Sequence, residues 1–298
     1  MILPFILLFS KERTLMSIVT RTVYGAGMQS AIYMGKPHRV QENSTLNEKF
    51  GIQANVLPSA AERHAVRYYC IGSGGHRAVA GADGIPYITP NRHEATDAAC
   101  FRHLPFVLRE VTDDLSVEQR AKYALRRRET HDGREFVAYY AKRLDLNTAE
   151  VNLQRTRVDG NNQTSEPFIP TTANLNPQPL VSGDDDNVIE ASGEYVSGSI
   201  VVTIGFNEAD AQELRNVAQV IYGDEKYAVI SELALLGGID RVVTGPGVGN
   251  NEINYEEVIA SQVTTFISAY YQLNVQNNGF SFTADLGITE PLYAAAVS

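Results

Sequence analysis

The densest run of residues able to do chemistry is HEATDAACFRH, in which His93, Asp97 and His103 stand at offsets 0, 4 and 10. That spacing is close to an extended zinc-protease motif. Two ligands one helical turn apart share a face, Glu94 between them serves as general base, and a third ligand after a sharp turn completes the set around the metal. Two positions depart from the pattern: Asp97 stands where the motif has His, and Cys100 occupies the place of the Gly that lets the chain turn back. Without that Gly the helix runs on and leaves His103 roughly three turns from His93, far beyond a ligand bond of about 2.1 Å. His93, Glu94 and His103 therefore define a zinc-dependent hydrolase only as an alternative. The preferred reading assigns no catalytic, cofactor-binding or metal-ligating residue.

Other constellations are weaker. Gly72-Ser73-Gly74-Gly75-His76 has the glycines of a phosphate-cradling turn, but no GxxxxGK[ST] is present and the AVAGADG that follows is Gly-rich rather than helical, so a tight turn is the reading. GPGVGNN at 245–251 is read the same way. Ser73 near His76 lacks a GxSxG elbow. His38, His64 and His131 sit in polar surroundings and are assigned to the surface. Cys70 and Cys100 permit one bridge at most, or two free buried thiols, which excludes a disulfide scaffold and a thiolate-only zinc site. The fifteen Tyr and the Gly-rich loops also fit a carbohydrate-binding module, without distinguishing it from ordinary strand composition.

The elements that must position these residues form an α+β, strand-rich chain with a few helices. Short strands and long loops occupy 18–88, and a helix is expected over about Arg92 to Arg102. Ser116 with Gln119 is a capping-box pattern opening a second helix through VEQRAKYALRRRE. Asp132-Gly133 turns the chain into REFVAYYAKRLDL, read as a long strand. In the last hundred residues SGSIVVTIGF is a strand, Asn207 caps a helix over 208–222 ended by Gly223, and Tyr227–Leu235 is a strand buried on both faces. VIASQVTTFISAYYQLNV is read as a strand from the alternation of Val263, Thr265 and Ile267.

Length sets a prior of two domains, or of one domain with a large insertion. The division read from the pattern is an apolar extension at 1–16, an N-terminal α+β domain at 17–154, an extended arm or linker at 155–198, and a C-terminal α+β domain at 199–298. The opening MILPFILLFS is too short to span a bilayer as a helix, and its charges follow the apolar run rather than precede it; Met16 is an alternative start. Residues 1–154 carry 20 Lys+Arg against 16 Asp+Glu, and residues 155–298 carry 5 against 19. The acidic half repels nucleic acid, and nothing points to a membrane partner. A chain so polarised is suited to head-to-tail stacking or to a partner of opposite sign.

The stretches YYCIGSGGHRAVAGADGIPYITPNRHEATDAACFRHLPFVLRE, DDLSVEQRAKYALRRRE, AYYAKRLDL, FIPTTANLNPQP, YAVISELALLGGID and ADLGITEPLY resemble a family of virion structural proteins from contractile-tailed bacteriophages. The resemblance covers residues 64–298 and lies in long segments rather than in a catalytic motif. It implies a non-enzymatic tail subunit, in the baseplate wedge, with a neck or head-to-tail connector as the near alternative. The implied partners are tail tube, sheath or baseplate subunits in a homo- and hetero-oligomer. The implied location is the virion, with assembly in the host cytoplasm. No site residue and no cofactor is carried over.

Overall fold

Residues 18–38, 59, 61–147, 149–159, 162–177, 189–246, 252–272 and 279–295 are described by the structure, a computed structural model. In chain order it begins with β1 (Ile18–Arg21), α1 (Val23–Tyr33), β2 (Ala65–Gly72), β3 (His76–Ala80), β4 (Pro86–Pro90) and β5 (His103–Leu104). There follow β6 (Val107–Glu110), α2 (Val117–Arg120), β7 (Arg126–His131), β8 (Arg134–Tyr139) and β9 (Lys142–Arg143). Next come β10 (Val151–Asp159), β11 (Asn162–Pro167), α3 (Thr172–Leu175), β12 (Ile189–Asn207) and α4 (Glu208–Tyr222). The last strands are β13 (Val229–Pro246), β14 (Glu252–Gln272), β15 (Gly279–Asp285) and β16 (Ile288–Ala295). Strands dominate, so the chain is α+β and strand-rich, with a few helices.

Two compact units share these elements: residues 13–144 with 205–281, and residues 145–204 with 282–298. This differs from the division read from the sequence. The last hundred residues do not form a module of their own, because β13 pairs with β2 and β14 pairs with β1, knitting them into the N-terminal part. The expected arm at 155–198 is, where described, largely folded. Gln154–Asp159 pairs with Asn162–Pro167 as an antiparallel hairpin, and β10 pairs in turn with β12. Its strands hide from pattern reading because β11 is exposed at every position and so carries no apolar alternation. The acidic triple 184–186, the segment 1–16 and most of the 245–251 loop lie outside the described residues.

The larger unit is built on an antiparallel sheet of order β1-β14-β13-β2-β5, with β9 also paired to β2. Its core joins Tyr68 and Cys70 of β2, Phe136 and Ala138 of β8, Val217 of α4, Ala234 and Leu236 of β13, and Val263 and Phe266 of β14. Residues 228–239 of β13 and the turn before it are buried throughout, which explains why the run is apolar or Gly apart from Ser231 and Glu232. α4 forms as its sequence dictates: Asn207 and Asp210 make a reciprocal capping box, and Gly223 closes it at φ +76°. Thr22 caps α1, accepting from Gly25 N, and Gly25 lets the helix lie against β14, since a Cβ there would stand 2.5 Å from Thr264 O.

Two expected helices differ. Residues 92–102 form turns, because the amides of Phe101 and Arg102 bond to Glu232 of β13 instead of to carbonyls one turn back. The Ser116 capping box is present, but α2 ends at Arg120: Ala124 N donates to Ala141 O and Tyr140 N to Leu125 O, so the chain enters a ladder. Arg126, Arg127 and Arg128 thus lie on strand β7. The turn at Asp132 and Gly133 has φ of 49° and 76°, as a tight hairpin requires.

In the smaller unit the sheet order is β11-β10-β12-β15, with β16 also on β12. Among its described residues only Val202, Ile204 and Ala284 are buried apolar side chains.

Candidate functional site

His93, the first residue of the zinc-like run, is buried and lies stacked between Phe101 and Phe266, with ring centroids 4.1 and 3.8 Å away. Its Nδ1 meets Asp97 Oδ2 at 2.9 Å and its Nε2 meets Glu232 Oε2 at 3.0 Å. Both ring nitrogens are engaged by carboxylate oxygens, so neither is turned toward an open position where a metal could sit. Glu232, fully buried in β13, accepts four bonds: Gly74 N and Arg102 N on Oε1, Phe101 N and His93 Nε2 on Oε2. Asp97 Oδ2 also accepts from Glu94 N, while the Glu94 side chain is exposed. His103 turns Nε2 to Cys100 N at 3.1 Å.

The structure therefore brings His93 and Asp97 together, but it does not assemble His93, Glu94 and His103 as ligands and base. Among the described residues no three His, Cys, Asp or Glu side chains are grouped to hold a metal ion. The cluster instead ties the 91–104 loop and the Gly-rich turn to the central sheet. Gly72, Gly74 and Gly75 are packed against Glu232, Arg102 and Ser231, and this turn cradles a protein carboxylate where a phosphate was the functional alternative. Cys70 and Cys100 are buried free thiols whose pKa values burial pushes up, the opposite of what a nucleophile needs.

Sequence reasoning missed Glu232 and Phe266. The available signal was a lone acid inside the apolar run YAVISELALL, which demands a buried donor set. It also misplaced two histidines. His38 and His64 are buried and meet edge to face at 5.0 Å; His38 Nε2 contacts Gln262 Oε1 at 2.9 Å and His64 Nε2 donates to Ala260 O at 3.0 Å. Burial lowers the His64 pKa. His131 is half-buried against Glu129.

The surfaces are more informative than the clusters. On one face of the smaller sheet, register places Val151 opposite Ile200, and Leu153 opposite Gly198, which is opposite Ile288. The next row along is Glu166, Arg155, Val196 and Glu290, and beyond it stand Arg157 and Glu194. Arg155 and Arg157 both bind Glu194, and with Thr164, Ser165 and Glu166 they line a cleft of about 270 Å³. Val151 is 68% exposed, and Leu153 and Ile288 are exposed too. A sheet face carrying such aliphatics, with no layer over them among the described residues, can hold another protein surface. In the larger unit, α1 presents a second surface: Val23, Ala26, Gly27, Ser30, Tyr33 and Met34 follow helical spacing, all are exposed and none is charged.

No curated protein and no solved structure matches the chain. A family model does match, over residues 10–298, and the chain accordingly belongs to DUF7208, a family of unknown function.

Proposed function

We propose that this protein is a structural subunit of a contractile-tailed bacteriophage virion, placed in the tail baseplate as a wedge component and acting by protein–protein assembly. The observation that carries the assembly part is the smaller unit, whose share of a five-stranded sheet has three buried apolar side chains among its described residues and exposed aliphatics on a face. A sheet needs a second layer to bury its apolar face, and this one draws it from a neighbour. The virion and baseplate assignments rest on the resemblance of residues 64–298 to tail structural proteins. His93, the first residue of the zinc-like run, is spent with Asp97 and Glu232 on joining the 91–104 loop to the core. Tail tube, sheath or baseplate subunits are the partners this role requires.

Electron microscopy of particles carrying a label at the C-terminus tests the placement. Density at the tail tip is expected. Label on the capsid shell, or on no particle, overturns it.

A further inference from the structure

We infer that the exposed face of the smaller sheet receives the β3–β4 hairpin of a second copy of this chain, giving a head-to-tail contact. The inference deepens the assembly reading and rests on it. Gly198 sits in β12 between Leu153 and Ile288, and a side chain added there would meet nothing within 4 Å among the described residues. Two exposed aliphatics on the flanking strands thus wall an open notch about 9.6 Å across, two strand spacings, wide enough for an aromatic ring.

The hairpin supplies such a ring. Tyr87 is 54% exposed and pairs across with Val79, and Arg77 pairs with Thr89, so Tyr87 and Arg77 share one face, one same-face row apart. Glu290 and Glu166 stand one same-face row from the notch on the sheet, in a row that also holds Arg155, which is bound to Glu194. The two offsets match at about 6.8 Å, so Tyr87 in the notch brings Arg77 to the row of Glu290, with the already engaged Arg155 on the other flank.

Charge selects this occupant over two sheets facing each other. Residues 145–204 and 282–298 hold eleven Asp and Glu against two Arg; without 184–186, which lie outside the described residues, eight against two still leave −6, so sheet-to-sheet pairing sets like charge on like. Around the hairpin, Arg77, Arg92 and Arg102 are exposed and have no ion-pair partner among the described residues. A hairpin in a notch is a small interface, which fits micromolar rather than tight association.

Sedimentation equilibrium of the purified full chain, at low and high salt, is the test. Concentration-dependent self-association that weakens with salt is expected, together with at least a tenfold loss in Gly198→Leu, which fills the notch, and in Arg77→Glu, which reverses the charge. Each variant keeps one good surface, so an equimolar mixture of the two must give heterodimers that grow no further. Arg77→Glu combined with Glu290→Lys in one chain must recover self-association. Circular dichroism of each variant confirms that it is folded. A folded chain that stays monomeric, or variants that associate as wild type, overturns the inference. If that monomer still enters particles, the assembly role survives; if it does neither, both readings fall.

Discussion

At the scale of single residues, the buried imidazole between two carboxylates decides how the 91–104 loop is held. Removing the buried Glu232 carboxylate takes the partner from His93 Nε2 and from three backbone N–H groups at once, so Glu232→Ala should cost about 3–5 kcal/mol in urea denaturation. The same occupied ring nitrogens predict that zinc or a chelator leaves the melting temperature and the secondary structure unchanged. A zinc-dependent rise in melting temperature that disappears in His93→Ala contradicts this account. His64 makes a separate prediction. Its folded pKa is lowered from 6.5 by burial, so the unfolded chain binds the proton more readily. The stability tied to its neutral form is whole above pH 6.5 and falls as pH drops toward the lowered folded value. His64→Gln should therefore flatten the decline in melting temperature below pH 6.5, and an unchanged slope would show that other groups carry it. The sequence made His93 and Asp97 visible as a pair, but Glu232 lies 139 positions from His93 and only β-pairing brings it near.

Elements were legible where local chemistry and tertiary need agree. α4 has its cap, its apolar side and its terminal Gly all in sequence, and it forms over the expected residues. Asn207→Ala should cost about 1 kcal/mol, read as a drop in unfolding free energy, because it strips the side-chain acceptor from Asp210 N. The stretch at 92–102 carried similar helical signals, yet the bonds offered by Glu232 outweigh a helix turn there. The β10–β11 hairpin was illegible for a different reason: alternation reports burial, and strands with little buried surface have nothing to alternate. α1 is the element whose exposed side is easiest to test. Tyr33 is 89% exposed, so Tyr33→Glu should change folding stability by less than about 0.5 kcal/mol. On the assembly reading the same variant loses incorporation into particles, and full incorporation would remove α1 from the contact surfaces.

For the whole molecule, the two units differ in what holds them. The larger one has a contiguous core of aromatic and aliphatic side chains, whereas the described part of the smaller one buries three apolar residues and leaves Val151, Leu153 and Ile288 exposed. Covering an aliphatic side chain fully contributes roughly 1.5–3 kcal/mol, so a neighbour that covers these three adds stability the isolated chain lacks. Such an imbalance has a dynamic consequence, because backbone hydrogen bonds open locally with a free energy that follows the contacts around them. In hydrogen exchange on the isolated chain, amides of the β10–β12 ladder should exchange at least about tenfold faster than those of the β13–β2 ladder. On assembly the β10–β12 amides should slow toward the others while the β13–β2 amides change little. Equal protection of both ladders in the isolated chain would mean that the smaller sheet is self-sufficient, and its exposed face would then no longer argue for a partner.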